Sequence, residues 1–159
     1  MKRQVAVIGS GSCAQDSELA GLAEEVGRRL AEADAVLVSG GLGGVMEAAC
    51  RGARSAGGRT LGLLPGSDRG AANPHVELAV PTGMGELRNG LIVRAADALI
   101  AVGGEWGTLS EIALGLKLGK PVVGLRTWPL HRAGAPEEAI VVSEDAEQAV
   151  ERAFELLGG

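Results

Sequence analysis

At 159 residues and 46% apolar, yet with one phenylalanine, two tryptophans and no tyrosine, the chain fits a single domain, 1–159, whose core is Val, Leu, Ile and Ala and needs no disulfide or metal staple. Its 26 glycines imply tight turns and close backbone packing, and a net charge of -5 argues against a nucleic-acid polymer as partner, because gripping a phosphate backbone takes a basic face. No stretch approaches the roughly 18 uninterrupted apolar residues of a membrane span, and Met1-Lys2-Arg3-Gln4 leads into a strand rather than a signal segment, so a cytoplasmic protein without a membrane partner is expected.

The chain then alternates strands and helices. An apolar run over 4–9 ends in Gly9-Ser10-Gly11-Ser12, and Leu19, Leu22, Val26 and Leu30 follow at helical spacing, with Asp16 or Ser17 as N-cap. A second run, 35–38, ends in Ser39-Gly40-Gly41-Leu42-Gly43-Gly44, and a small-residue helix from Val45 stops at Gly57-Gly58. Residues 60–64 make a third strand, 67–75 a polar loop and 76–80 a short strand before Pro81. Met84, Leu87, Leu91, Ile92 and Ala95 predict a helix with Arg88 on its exposed side. The most apolar strand, 98–102, runs into Gly103-Gly104-Glu105-Trp106-Gly107-Thr108 and a helix over 108–118. A strand at 121–125, a loop at 127–137, a strand at 140–142 and a helix capped by Ser143 and running to about residue 157 complete the pattern. Strands without polar alternation, separated by helices, predict an α/β, doubly wound, mainly parallel sheet with helices on both faces. In such sheets ligands bind beyond the carboxyl ends of the strands, where all three glycine turns fall.

A glycine turn opening a helix is an anion cradle, because unpaired N–H groups and the positive end of the helix dipole face the ligand. Gly9-x-Gly11-x-x-Ala14 matches a relaxed dinucleotide fingerprint, but Val38-Ser39-Gly40 lacks the acidic residue that would hold the ribose, so hydride transfer is disfavoured. Gly115 to Pro121 has the wrong spacer for a Walker A motif. Thr108-x-x-Glu111 has two readings: a capping box in which Glu111 bonds back to the Thr108 N–H, or a carboxylate beside an anion cradle, with Arg88 as its cationic partner. Trp106 either packs or stacks on a planar ligand. Cys13 and Cys50 have neither CxxC spacing nor clustered histidines, so no metal site is indicated and both read as structural.

Gly40-Gly41-Leu42-Gly43-Gly44-Val45-Met46 is similar to the GGxxGLM turn, and Gly104 to Glu111 to the PGGxGTxxE motif, of the Lonely Guy (LOG) proteins and their relatives, the molybdenum-cofactor carrier proteins. The resemblance runs from Val5 to about residue 125. It implies a Rossmann-like fold, a homodimer or larger homo-oligomer, and a small phosphorylated ligand. In LOG enzymes an arginine of an MHxRK motif and the glutamate of the glycine motif cleave the base-to-ribose bond of nucleoside 5'-monophosphates, and Arg88 and Glu111 occupy those places. Gly9, Ser10, Gly11 and Ser12 read as a general phosphate-loop turn, and on the resemblance Gly40, Gly41, Gly43, Gly44, Met46, Asn89, Gly103, Gly104, Glu105, Trp106, Gly107 and Thr108 join Arg88 in binding the ligand. Gly85-Glu86-Leu87-Arg88-Asn89 lacks the motif's histidine and lysine, Gly103 replaces its proline and Glu105 its second glycine. The first expectation is therefore a phosphoribohydrolase requiring no cofactor. The alternative is a non-catalytic carrier of molybdenum cofactor or another phosphorylated planar ligand.

Overall fold

The computed structural model describes residues 1–158. Seven parallel strands form one sheet in the order β4-β3-β2-β1-β5-β6-β9. They are β1 (Gln4–Gly9), β2 (Val36–Ser39), β3 (Arg59–Leu64), β4 (Leu78–Pro81), β5 (Ala98–Val102), β6 (Val122–Leu125) and β9 (Val141–Val142). The helices are α1 (Glu18–Glu32), α2 (Val45–Ser55), α3 (Asn89–Ala95), α4 (Trp106–Lys117) and α5 (Ala146–Leu156). A separate antiparallel hairpin pairs β7 (His131–Arg132) with β8 (Ala135–Pro136).

Strand geometry sends alternate side chains to opposite faces, and here both faces are covered. Val5 and Val7 of β1 pack with Val26 and Leu30 of α1, Ala48 and Ala49 of α2 and Ala149 and Val150 of α5. Ala6 and Ile8 pack on the other side with Ile92 and Val93 of α3 and Ile112 of α4. Each fully buried Val, Leu or Ile contributes ~1.5–3 kcal/mol, so the two clusters together hold the layers. The doubly wound expectation is met, strand by strand, because an apolar run with no polar alternation has no face to offer water.

Local departures have physical reasons. The expected helix over 84–95 divides into a 3-10 turn, Gly85–Arg88, and the short α3. The polar loop 67–75 contains one 3-10 turn, Arg69–Ala71. The expected loop 127–137 contains the β7–β8 hairpin. Pro81 ends β4 inside the sheet, tolerated because β4 is an edge strand with no partner on its outer side. Helix α1 is capped by Ser17, whose Oγ accepts from the Ala20 N–H at 3.2 Å. Helix α5 is capped by Asp145, not Ser143: the Asp145 carboxylate accepts from the Gln148 N–H at 2.8 Å, while Ser143 lies outside the helix, its N–H donating to the Gly124 carbonyl at 2.9 Å. Among the described residues no helix is long and apolar enough to cross a membrane.

Helices α1 and α2 cross backbone to backbone. A Cβ on Gly27 would lie 1.9 Å from the Ala49 carbonyl oxygen, and one on Gly52 would lie 1.8 Å from that of Glu24. Gly21 on the same helix has no atom within 4 Å of that position. In urea unfolding, Gly27→Ala and Gly52→Ala are each expected to destabilise by about 1–3 kcal/mol through overpacking, although alanine is the better helix former. Gly21→Ala should instead stabilise by about 0.5–1 kcal/mol.

Candidate functional site

The strand order reverses between β1 and β5: from β1 the chain winds outward through β2, β3 and β4, then returns to lay β5 on the free side of β1. The turns after these two strands diverge there and open a crevice, the usual position for a ligand in this class of sheet. A cleft of about 140 Å³ lies in it, floored by Val7, Ile8 and Gly9 and walled by Gly11, Gly40, Met46, Arg88, Asn89, Glu105, Gly107, Thr108 and Glu111. Ten of those twelve are residues singled out from the sequence; Val7 and Ile8 are the additions, and as ordinary β1 core residues they carry no motif signal. Gly41, Gly43, Gly44, Gly103 and Gly104 shape the two turns without lining the cleft, Ser10 and Ser12 reach it only through Glu105, and Trp106 stands outside it.

Arg88 is buried, 9% exposed, which overturns its expected place on a solvated helix face. It ends a 3-10 turn rather than sitting within an α-helix, and its side chain is buried against Gly40 and Asn89 while Met84 and Leu87 are exposed. One terminal nitrogen donates to the Asn89 side-chain oxygen and the other to the Gly40 carbonyl at 3.4 Å; Nε has no hydrogen-bond partner. A Cβ on Gly40 would come within 2.7 Å of both Arg88 Nη2 and Met46 Sδ, so only glycine leaves room for the guanidinium. Burial pushes the Arg88 pKa down, and the nearby Glu111 carboxylate opposes that shift.

Glu111 is 7% exposed, on the buried side of α4. Burial raises its pKa to about 7, against the lowering influence of the Arg88 charge. The two attract without forming an ion pair, and both are held where water is scarce, so each charged form is disfavoured and neither fully neutralises the other.

The capping-box reading of Thr108 and Glu111 is overturned as well. Helix α4 starts two residues earlier than expected, at Trp106, with Glu105 as N-cap and Thr108 at the third position; the Glu105 N–H donates to Thr108 Oγ1 at 3.3 Å. Glu111 is therefore released from capping. Glu105 reaches across the crevice, where Oε1 accepts from Ser10 Oγ and from Ser12 Oγ, each at 2.7 Å. These two hydroxyls, Ser10 first, hold its carboxyl below the usual range. Beside them Trp106, 76% exposed, packs on Trp128 with ring centroids 5.1 Å apart and planes 32° apart. Cys50 is buried, bonded to Ser39 at 3.6 Å, and burial pushes its thiol up, as befits a core residue.

The cleft thus offers a desolvated guanidinium with a free donor, a carboxyl poised to exchange a proton near neutrality, and the first turn of a helix whose positive pole favours an anion. Among the described residues no His, Cys, Asp and Glu group could hold a metal ion through protein ligands.

An uncharacterized protein of Archaeoglobus fulgidus is 45% identical over 142 residues, covering 86% of this chain and 91% of its own. The molybdenum cofactor binding protein from the phototrophic bacterium Rippkaea orientalis is 32% identical with a TM-score of 0.86, over 99% of this chain and 98% of that one. The Moco carrier protein from Chlamydomonas reinhardtii is 33% identical with a TM-score of 0.85, over 99% of each. The profile of the SLOG cluster4 family matches residues 2–153, and the chain belongs to that family.

Proposed function

We propose that this chain is a binding protein for a phosphorylated planar ligand, with molybdenum cofactor as the foremost candidate, and that it holds the ligand without cutting it. The observation that carries this reading is Arg88: a buried guanidinium whose Nε has no protein partner, facing a cleft at the positive end of α4. A buried donor of this kind needs an acceptor, and a phosphate oxygen supplies one with charge assistance. Full-length similarity to two proteins described as binding or carrying the cofactor supports the same ligand. The pterin phosphate would sit against Arg88, Asn89 and the Gly107–Thr108 turn, with the metal as cargo that asks for no protein ligand here. The exposed Met84, Leu87 and Leu91 support the homo-oligomer that the family resemblance implies.

A second reading, the phosphoribohydrolase, is favoured by Glu111, since a carboxylate with a pKa of about 7 beside a buried cation is suited to stabilise an oxocarbenium-like centre or orient water. The two readings separate in one assay. Incubation with a panel of nucleoside 5'-monophosphates is expected to release no free base and no ribose 5-phosphate; release that Glu111→Gln abolishes would replace the binding reading with the enzyme.

Isothermal titration with a phosphorylated pterin or a nucleoside monophosphate is expected to show binding weakened about 10- to 100-fold in Arg88→Ala, the loss of a charge-assisted contact worth ~1.5–3 kcal/mol. Arg88→Lys should recover part of it, since a lysine restores charge but not the fork.

Glu111 gives the site and the fold a shared pH dependence. Its native pKa of about 7 lies above its ordinary 4.5, so between those values the folded chain binds more protons than the unfolded one. Its contribution to stability is complete below about pH 4.5 and is lost as pH rises to about 7, a change on the order of 3 kcal/mol. Phosphate affinity should fall through pH 7 as the carboxylate forms beside the ligand. Glu111→Gln is expected to flatten both profiles in pH-dependent unfolding and titration.

A further inference from the structure

The central cleft is an anion site with an anion already in it. Glu105 lines it together with Arg88, Gly107 and Thr108. As the N-cap of α4 it forms a capping box with Thr108, which turns its carboxylate toward the Thr108 N–H, one of the donors that a helix N-terminus otherwise holds out to a ligand. A phosphate drawn to the positive end of α4 therefore meets this carboxylate.

The carboxylate is fixed in place and in charge. Oε1 accepts from Ser10 Oγ and Ser12 Oγ, each at 2.7 Å, so both hydroxyl protons of the first glycine turn are directed at Glu105 and away from a ligand. The same two contacts hold its carboxyl below the usual range and so keep it ionised. An ionised carboxylate only accepts, and of its roughly four lone-pair positions the two serines take two, so a donor from the ligand can still be received. Among the described residues that line the cleft, Arg88 is the one cation. A fully ionised oxyanion in this space sets like charges side by side, which is unfavourable. An oxyanion that keeps an O–H donates it to Glu105 and leaves its other oxygens for the unpartnered Arg88 Nε.

We propose that Glu105 is the specificity-determining residue of the cleft, admitting a phosphate ester that carries a proton and rejecting an oxyanion that carries none. The inference rests on the reading of this cleft as a phosphate site. Two esters of hydroxymethylpterin, the phosphate and the sulfate, test it by isothermal titration at about pH 5.5, where a phosphate monoester with a second pKa of about 6 is mostly singly charged, as the sulfate is, and alone has an O–H. That pH also lies below the Glu111 pKa of about 7, so both esters meet Glu111 in its protonated form. The phosphate ester is expected to bind at least about tenfold more tightly than the sulfate, the effect of one hydrogen bond to a charged group. Glu105→Gln keeps the shape and an oxygen for the two serines but removes the charge, and is expected to bind the two esters about equally, with the sulfate gaining. Equal binding of both esters to the unaltered chain, or a preference that survives in Glu105→Gln, would overturn the role of Glu105 while leaving the oxyanion site at Arg88 standing. Binding of neither ester to either protein would overturn the phosphate reading and this inference with it.

Discussion

The pairing of β1 with β5 is the constraint on which the rest depends. Because β5 returns to the centre of the sheet, beside the first strand and not beside β4, two turns that lie about 90 residues apart in sequence open onto the same crevice. One turn brings Gly9 to Ser12, the other Gly103 to Thr108. Glu105 then fastens them with a pair of hydroxyl contacts, and the 3-10 turn ahead of α3 carries Arg88 in from the β4 side. No single element holds the site. Topology assembles it.

The crevice is also where electrostatics is least relaxed. Arg88 and Glu111 are both nearly dry, and desolvation outweighs their mutual attraction at each. An ion pair optimised for stability would be in direct contact or would be replaced by apolar packing. A separated, half-compensated pair is instead suited to a third charged partner that arrives from outside. The glycine at position 40 carries the same implication: its missing side chain is filled by the guanidinium and by Met46.

Much of the architecture was legible because a parallel sheet covered on both faces leaves its mark in every strand: Ala98 to Val102 is apolar throughout, and so is Val5 to Ile8. The glycine turns are legible as well, because each follows the carboxyl end of a strand, and Gly9, Gly11, Gly40 and Gly107 line the crevice that opens there. What escaped did so where two local solutions fit one sequence. Glu105-x-x-Thr108 and Thr108-x-x-Glu111 both satisfy a capping pattern, and only the entry direction of α4 decides between them. The burial of Arg88 is hidden because Met84, Leu87 and Leu91 have helical spacing, yet the 3-10 turn leaves Met84 and Leu87 exposed and buries the arginine.

The scarcity of aromatic residues has an optical consequence. Both tryptophans of the chain stack on one another beside the crevice, there is no tyrosine, and the single phenylalanine lies in α5. Indole absorption is therefore confined to this one pair. The intrinsic emission of this protein reports the surroundings of that pair, beside Glu105 and the start of α4, and says little about the rest of the molecule.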